Sequence, residues 1–207
     1  MRQSLGDFPL FNRHTGEEEW ATLYKPIAEN NVDDFETRWR PKMQAKLATL
    51  KTHDEVQAAN LQDAHWKWRE KQQARSNRFD WESFAVECGG ETQGLMFVRT
   101  VGFARIGSQH NLPLIYIDLI SAAPWNRFGF TDSPMYKGVG PLLMGAAISL
   151  SVSEGLDGRL GLHALPQSED WYRAQGMTEL GTDTAHPENL VYFEFTSVDA
   201  WDYVSDT

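Results

Sequence analysis

The chain has 207 residues, 41% of them hydrophobic and 12% aromatic, which is enough for one well-filled core and fits one domain with an appendage better than two. A net charge of −10 and a pI of about 5.0 repel an extended phosphate backbone, so nucleic acid is a poor partner. The single cysteine, Cys88, excludes an intramolecular disulfide, and the lack of an N-terminal apolar segment or of any run of about 18 apolar residues points to a soluble, cytoplasmic protein without a membrane partner.

Thr15 and Glu18 have the spacing of a capping box, and Trp20, Leu23, Tyr24 and Ile27 follow at i, i+3, i+4 and i+7. This predicts a helix that Pro26 shortens or kinks. Asp33 with Glu36 marks a second start before Phe35, Trp39, Met43 and Leu47, which Pro41 interrupts. Residues 54–75 are more polar, with Leu61, His65 and Trp68 on one face, and are expected along the surface of the main body. Within them, WKWREK (66–71) mixes aromatic and basic residues as nucleic-acid binders do, but a solvated helix face is the plainer reading. Residues 15–75 thus read as two or three helices, and residues 1–80 as a helical extension packed on the same domain.

From residue 81 the period becomes that of strands. WESFAVEC (81–88), the turn GGETQG (89–94) and LMFVRTVGFARI (95–106) predict an antiparallel hairpin. Cys88 reads as a partly buried strand thiol more readily than as a nucleophile. PLIYIDLISAAP (113–124) predicts a central strand buried on both faces, followed by a loop, a helix over 138–154, a strand over 159–166, a short helix over 168–176 and a last strand over 189–196. Residues 197–207 read as an acidic tail. Strand, helix and strand in this order form a parallel βαβ unit, so the sheet is expected to be mixed, mostly antiparallel, in an α/β (α+β) fold.

In SPMYKGVGPLLMGAAISL (133–150), Gly138 and Gly140 stand directly before an apolar helical stretch. Glycines at a helix start let an anion approach the unpartnered amides, and a tight turn is the plain alternative. The order of elements over residues 80–196 resembles the GCN5-related N-acetyltransferase superfamily. MYKGVG (135–140) is similar to its Q/R-x-x-G-x-G/A coenzyme loop, with Met135 in place of Gln or Arg. AAPWNR (122–127) resembles the strand ending of a subset of these transferases, and WYRAQGM (171–177) resembles Y-x-x-x-G-F, with Met177 for Phe.

The resemblance implies acetyl-coenzyme A as acyl donor, an amine acceptor attacking directly in a ternary complex, and no metal. The amides from Tyr136 through Val139 and Gly140 to Leu142 would wrap the pyrophosphate, with Lys137 adding a charge and Pro141 costing no helical bond at the first turn. Ile120, Ser121 and Ala122 would hold the pantetheine arm where the central strand splays from the next, the amide near Ala122 polarising the thioester carbonyl. Tyr172 would be the acid, as the counterpart of the family tyrosine. For the base, Asp118 shares a strand side with Ala122, His163 sits on the neighbouring parallel strand, and a water relayed from Glu82 or Glu169 is a third candidate.

An acidic surface attracts a cationic amine, whether polyamine, aminoglycoside, lysine side chain or protein N-terminus. The transfer RNA acetylating toxins of this superfamily are a poorer comparison, because they need a basic face. The helices of 15–75 would shape the acceptor pocket or a homodimer contact. The reading from another class is a catalytically silent binding module anchored by Trp20, Trp39, Trp66 and Trp68.

Overall fold

A computed structural model describes residues 2–205. It divides into two compact units, Met1–Met96 with Ile120–Leu143, and Phe97–Leu119 with Met144–Thr207.

The first unit opens with strands β1 (Gln3–Asn12) and β2 (Glu17–Lys25), paired antiparallel from Gln3↔Lys25 to Asn12↔Glu17. This hairpin stands where a helix from Thr15 was expected. Asn12 Oδ1 accepts the amides of His14 and Thr15 at 2.9 and 3.3 Å, and Gly16 at φ +77° returns its amide to the Asn12 carbonyl at 2.8 Å. Asn and Gly chemistry therefore closes a turn, and Thr15 Oγ1 accepts from Glu17 instead of capping a helix. The burial alternates as in a strand: Ala21 and Leu23 point inward while Trp20 is 70% exposed. β1 gave no strand signal because Gly6 and Pro9 interrupt its alternation.

Helix α1 (Glu29–Asp34), a π-helical turn (Phe35–Trp39) and α2 (Arg40–Leu47) run on as one helix. It starts four residues before the expected Asp33, because Asn31 Oδ1 accepts the Ala28 amide at 2.9 Å and so caps the true start. The Arg40 amide reaches back five residues to the Phe35 carbonyl, a wide turn placed just ahead of Pro41, whose missing N–H breaks the ordinary ladder. Two short helices follow, α3 (His53–Ala58) and α4 (Trp68–Arg75). His65 is exposed, contrary to the expected apolar face, whereas Trp39 and Trp68 have no exposed surface and pack with Phe35 as the interior of this unit. They are therefore core, not surface anchors.

Strand β3 (Trp81–Cys88) turns through Gly89 and Gly90, both at positive φ, into β4 (Glu91–Phe103), so the turn is two residues and not six. β4 and β5 (Pro113–Ala122) each continue from one unit into the other. β6 (Tyr136–Lys137), which the sequence did not reveal, pairs with Phe11 and Asn12 of β1 and leads into α5 (Val139–Ser153). The strand order here is β6-β1-β2-β3-β4.

The second unit adds β7 (Leu160–Ala164), α6 (Glu169–Ala174), β8 (Thr178–Thr182), β9 (Val191–Phe195) and α7 (Ser197–Ser205), in the strand order β4-β5-β7-β9-β8. β5 and β7 are parallel, joined through α5, and β9 is antiparallel to both of its neighbours. A mixed sheet with a parallel βαβ unit is the expected fold class. Of the acidic tail expected over 197–207, the described part is instead α7, and residues 206–207 lie outside the described residues. Asp199 Oδ2 accepts the Thr196 amide and hydroxyl at 3.1 and 2.7 Å, Thr196 Oγ1 receives the Asp199 amide, and Ala200 is buried. β5 is buried on one face only: Ile115, Ile117, Leu119 and Ser121 point inward, while Tyr116, Asp118, Ile120 and Ala122 are half-buried.

Candidate functional site

In the first unit the end of β5 is held by a buried ion pair. Asp63 and Arg127 meet through two parallel bonds of 2.7 and 2.8 Å, with side chains 4% and 6% exposed. Arg127 also donates from Nε to the Ala122 carbonyl at 2.7 Å, from Nη1 to the Asn60 carbonyl at 2.9 Å and from Nη2 to Ser121 Oγ at 2.7 Å, and Ser121 Oγ donates to Asp63 at 2.8 Å. All five guanidinium N–H donors are thus used, the condition under which a buried charge is tolerable. The next turn is fixed through Gln93, whose carbonyl accepts the Ala123 amide and whose Oε1 accepts from Trp125 Nε1 and Asn126 Nδ2, each at 2.9 Å for the side-chain bonds. Asn126 Oδ1 then receives the Tyr136 amide at 3.0 Å.

This chain of bonds delivers the backbone to the start of α5. Gly138 has φ +109°, a left-handed conformation that suits glycine, and its carbonyl accepts the first helical bond from Leu142 at 2.9 Å. The Val139 and Gly140 amides fall in the first turn, which has no helical acceptors, and Pro141 contributes none. A Cβ at Gly94 of β4 would lie 2.6 Å from Val139 Cγ1 and 3.0 Å from Leu143 Cδ1, so a bare backbone on the strand is what lets this first turn seat. The span Tyr136–Leu142 is consequently narrower as an anion cradle than expected. Tyr136 gives its amide to Asn126 and its hydroxyl to Glu19 at 2.6 Å, Lys137 is a strand residue against Phe11, and Leu142 bonds back to Gly138. What is left for an anion is Gly138, Val139 and Gly140, beside the exposed Lys137 side chain.

The second unit carries a different kind of site. β5 and β7 pair only from Ile115↔Leu160 to Ile117↔Leu162, although β5 runs five residues further and β7 two. Just past the last pair, on one face, stand Asp118 and His163. His163 Nδ1 lies 2.8 Å from the Tyr116 hydroxyl and Nε2 lies 3.0 Å from Asp183 Oδ2. The ring stacks on His186 at 4.3 Å and leans on Tyr192 at 4.9 Å. Arg105 donates to Asp183 at 2.7 Å and lies over the Tyr192 ring. Its hydrogen bond, then that of His163, holds the Asp183 carboxyl well below the usual carboxylate range. Burial pushes His163 down from its ordinary value, partly opposed by Asp183. Burial and then the charge of Asp118 push the Tyr116 phenol up to about 12.

No family model matches the sequence, and no curated protein matches it either. Among solved structures, the chain is similar to PaiA N-acetyltransferase from Thermoplasma acidophilum in complex with coenzyme A, with a TM-score of 0.52 and 11% identity over 83% of this chain and 97% of that one. It is similar to the GNAT domain of S. lividans PAT, with a TM-score of 0.51 and 12% identity over 91% and 96%. The AtaT toxin bound to the C-terminus of the antitoxin AtaR gives a TM-score of 0.53 and 12% identity over 90% and 98%. The fold is that of the GCN5-related N-acetyltransferases.

On this acetyltransferase fold, the residues singled out in the sequence fall into two sets. Ile120, Ser121, Ala122 and the 136–142 loop are in the first unit, and Asp118, His163 and Tyr172 are in the second. Tyr172 is 5% exposed and packs on Trp171 and on Phe193, whereas His163 packs on Tyr192. Neighbouring residues of a strand face opposite ways, so Tyr172 and His163 lie on opposite faces of β9. Glu82 and Glu169 are tied to Lys25 and Arg173. Arg127, Asp63, Tyr116 and Asp183 escaped the sequence reading: Arg127 had a motif to mark it, whereas the others gain meaning only from contacts 47 to 64 residues apart or, for Asp183, 20 apart.

Elsewhere in the first unit a shallow cleft of about 380 Å³ is lined by residues that include Glu36, Arg40, His65, Arg69 and Glu70. Arg69 is held there by Glu29, Asp33 at 2.5 Å and Glu36 at 2.9 Å. Among the described residues no helix is long and apolar enough to cross a membrane.

Proposed function

We propose that the chain is an acyl-coenzyme A-dependent N-acyltransferase that moves an acetyl group from acetyl-coenzyme A to an amine by direct attack in a ternary complex. The observation that carries this reading is the start of α5: Gly138 at φ +109°, delivered by the saturated Arg127 and Gln93 bonds, opens a 15-residue helix whose first amides have no helical acceptor. In this reading those amides and Lys137 take the pyrophosphate. The Ile120–Ala122 segment takes the pantetheine, though the Ala122 carbonyl is already engaged by Arg127, so its amide is the group left for the thioester carbonyl. Tyr172 is the acid that protonates the departing thiolate, and Asp118 or His163 removes the ammonium proton. The coenzyme A held by the PaiA structure supports the same choice of donor.

The test is thermal unfolding with and without acetyl-coenzyme A. Binding to the folded state alone raises the melting temperature by mass action. The double change Gly138→Val with Gly140→Val should abolish that rise. A rise that survives both changes puts the phosphates elsewhere, and no rise with folded wild-type protein favours the silent binding module. That alternative retains Trp20 as an exposed anchor, but Trp39 and Trp68 are interior.

A further inference from the structure

We propose that the segment joining β8 to β9, residues 183–190, is a pH-sensitive clasp, closed while the stacked rings of His163 and His186 are neutral and opened when they take up protons. The clasp stands apart from the acyl-transfer reading and lies wholly within the second unit. β8 is the last strand of the sheet, pairs with β9 alone and shifts register between Glu179 and Thr182. Of residues 183–190, only Asp183, His186 and Leu190 are not exposed. Asp183 and His186 both reach the same ring, that of His163 on β7, whose side chain is 7% exposed. Asp183 Oδ2 lies 3.0 Å from His163 Nε2, and the His186 ring stacks on it at 4.3 Å and 27°. A segment with so little buried surface, and with its fastenings gathered on one titratable side chain, is suited to open locally while the rest of the unit stays folded.

The partners fix which nitrogens are bare in the closed form. An ionised Asp183 only accepts, so His163 Nε2 carries its hydrogen and Nδ1 accepts from the Tyr116 hydroxyl at 2.8 Å. His186 Nδ1 accepts the Glu188 amide at 3.3 Å, so the hydrogen of that ring is on Nε2. The basic lone pair of each ring is thus spent on a bond that closes the clasp. A proton at His186 Nδ1 sets a donor against the Glu188 N–H, and a proton at His163 Nδ1 makes the Tyr116 hydroxyl give up the bond it donates. Protons on both put two cations face to face. The closed clasp therefore binds fewer protons than the open one, in which both rings meet water, so falling pH favours opening.

The charges around His163 act in the same sense, with one exception. Burial pushes it down from its ordinary value, the Asp183 bond opposes this, and the charges of His186 and Arg105 add to the downward push. Arg105, in the turn after β4, also donates to Asp183 at 2.7 Å. β5 brings Tyr116 and, acting on its phenol, Asp118; Arg99 of β4 acts on the same phenol. β9 brings Tyr192, on which His163 leans at 4.9 Å, and Glu194, which is occupied by the Arg105 and Ile106 amides and by Gln109. The preference for the closed form is therefore complete above the ordinary imidazole value of about 6.5 and is lost as pH falls through the lower value of the closed form.

The experiment is amide hydrogen exchange on the full chain between pH 7.5 and 5.0, corrected for the intrinsic pH dependence of exchange, with α5 as the internal reference. The amides of Asp183, Ala185, His186, Glu188 and Asn189 are bonded within the segment and report its closure. Their protection should fall by about 10-fold or more across this range while that of α5 is kept. His186→Asn keeps a neutral acceptor for the Glu188 amide, and His163→Gln keeps neutral groups towards Asp183 and Tyr116. Each variant should shrink the fall, and the two together should remove it. Protection over 183–190 that does not change with pH overturns the clasp, and so does protection that falls in step with α5, since that is unfolding of the whole unit. If His163→Gln does not fold, His186→Asn decides alone: a smaller fall than in wild type supports the stack as the sensor, and an equal fall overturns it.

Discussion

The two units solve different problems with polar side chains. In the first, Arg127, Asp63, Ser121 and Gln93 are buried, and their bonds end on the backbone, on one another or on the side chains of Trp125 and Asn126, so their effect is to hold a strand end and a helix start in one conformation. In the second, Tyr116, His163 and Asp183 form a line of hydrogen bonds about a histidine that burial pushes below its ordinary value. Binding a diphosphate asks for fixed backbone donors, whereas moving a proton asks for groups that change state. The contrast predicts that damage to the first unit is read in stability and coenzyme affinity, and damage to the second in rate and pH dependence.

The largest expected effect comes from Asp63→Ala, which strands the buried Arg127 charge. Loss of one partner of such a pair costs about 3–5 kcal/mol, which lowers the melting temperature of a chain this size by on the order of 10 °C. Thermal unfolding reads it directly, and a drop of a degree or two would mean that the strand end is not held in this way.

Tyr172→Phe comes next and tests the opposite kind of role. The ring contacts with Trp171 and Phe193 survive the change, so melting should fall far less than in Asp63→Ala while turnover falls by about 10²-fold, equivalent to about 2.7 kcal/mol. Steady-state kinetics with saturating acetyl-coenzyme A checks this, and an unchanged kcat removes Tyr172 as the acid.

A smaller effect is expected in the pH dependence of stability. His163 binds its proton less readily folded than unfolded, so below the ordinary imidazole value near 6.5 the unfolded chain takes up more protons. The contribution is present above that pH and is lost as pH falls through the lower, folded value. Urea titrations at pH 7.5 and 5.5 should show wild type losing more stability on acidification than His163→Gln; equal losses would contradict the burial of this ring.

The smallest effect is expected at Arg69, whose carboxylate partners are half-exposed to exposed. Arg69→Gln should cost about 1 kcal/mol or less. If the adjoining cleft reads the acceptor, the same change alters KM for the amine and leaves the coenzyme shift alone; if light scattering alone responds, that face is a subunit contact.

Much of the second half of the chain was legible because its signals are local. The apolar run of β5, the glycine start and apolar repeat of α5, and the short helix before Gly176 are each written in fewer than 20 consecutive residues. The first 25 residues were misread because Trp20, Leu23 and Tyr24 fit a helical spacing, whereas in the strand Trp20 and Tyr24 share one face and Leu23 lies on the other. Only the partner strand, broken in pattern by Gly6 and Pro9, decides between them by supplying hydrogen bonds across the hairpin. Trp39 and Trp68 were offered as surface anchors for the same reason, since a polar neighbourhood in sequence says nothing of which face another helix covers.

For the candidate site the division is similar. By itself the sequence determined that a bare backbone precedes an apolar helix, and that an acid and a histidine lie on successive strands, because glycine conformation and strand alternation are properties of a few adjacent residues. Only the tertiary structure decided that the backbone of Tyr136 and Lys137 is taken up by β1 and Asn126, that Asp63 reaches Arg127, and that Asp183 reaches His163. Each of those is a pairing between residues 10 to 126 positions apart, whose formation depends on where folding brings the two ends and leaves no periodic mark along the chain.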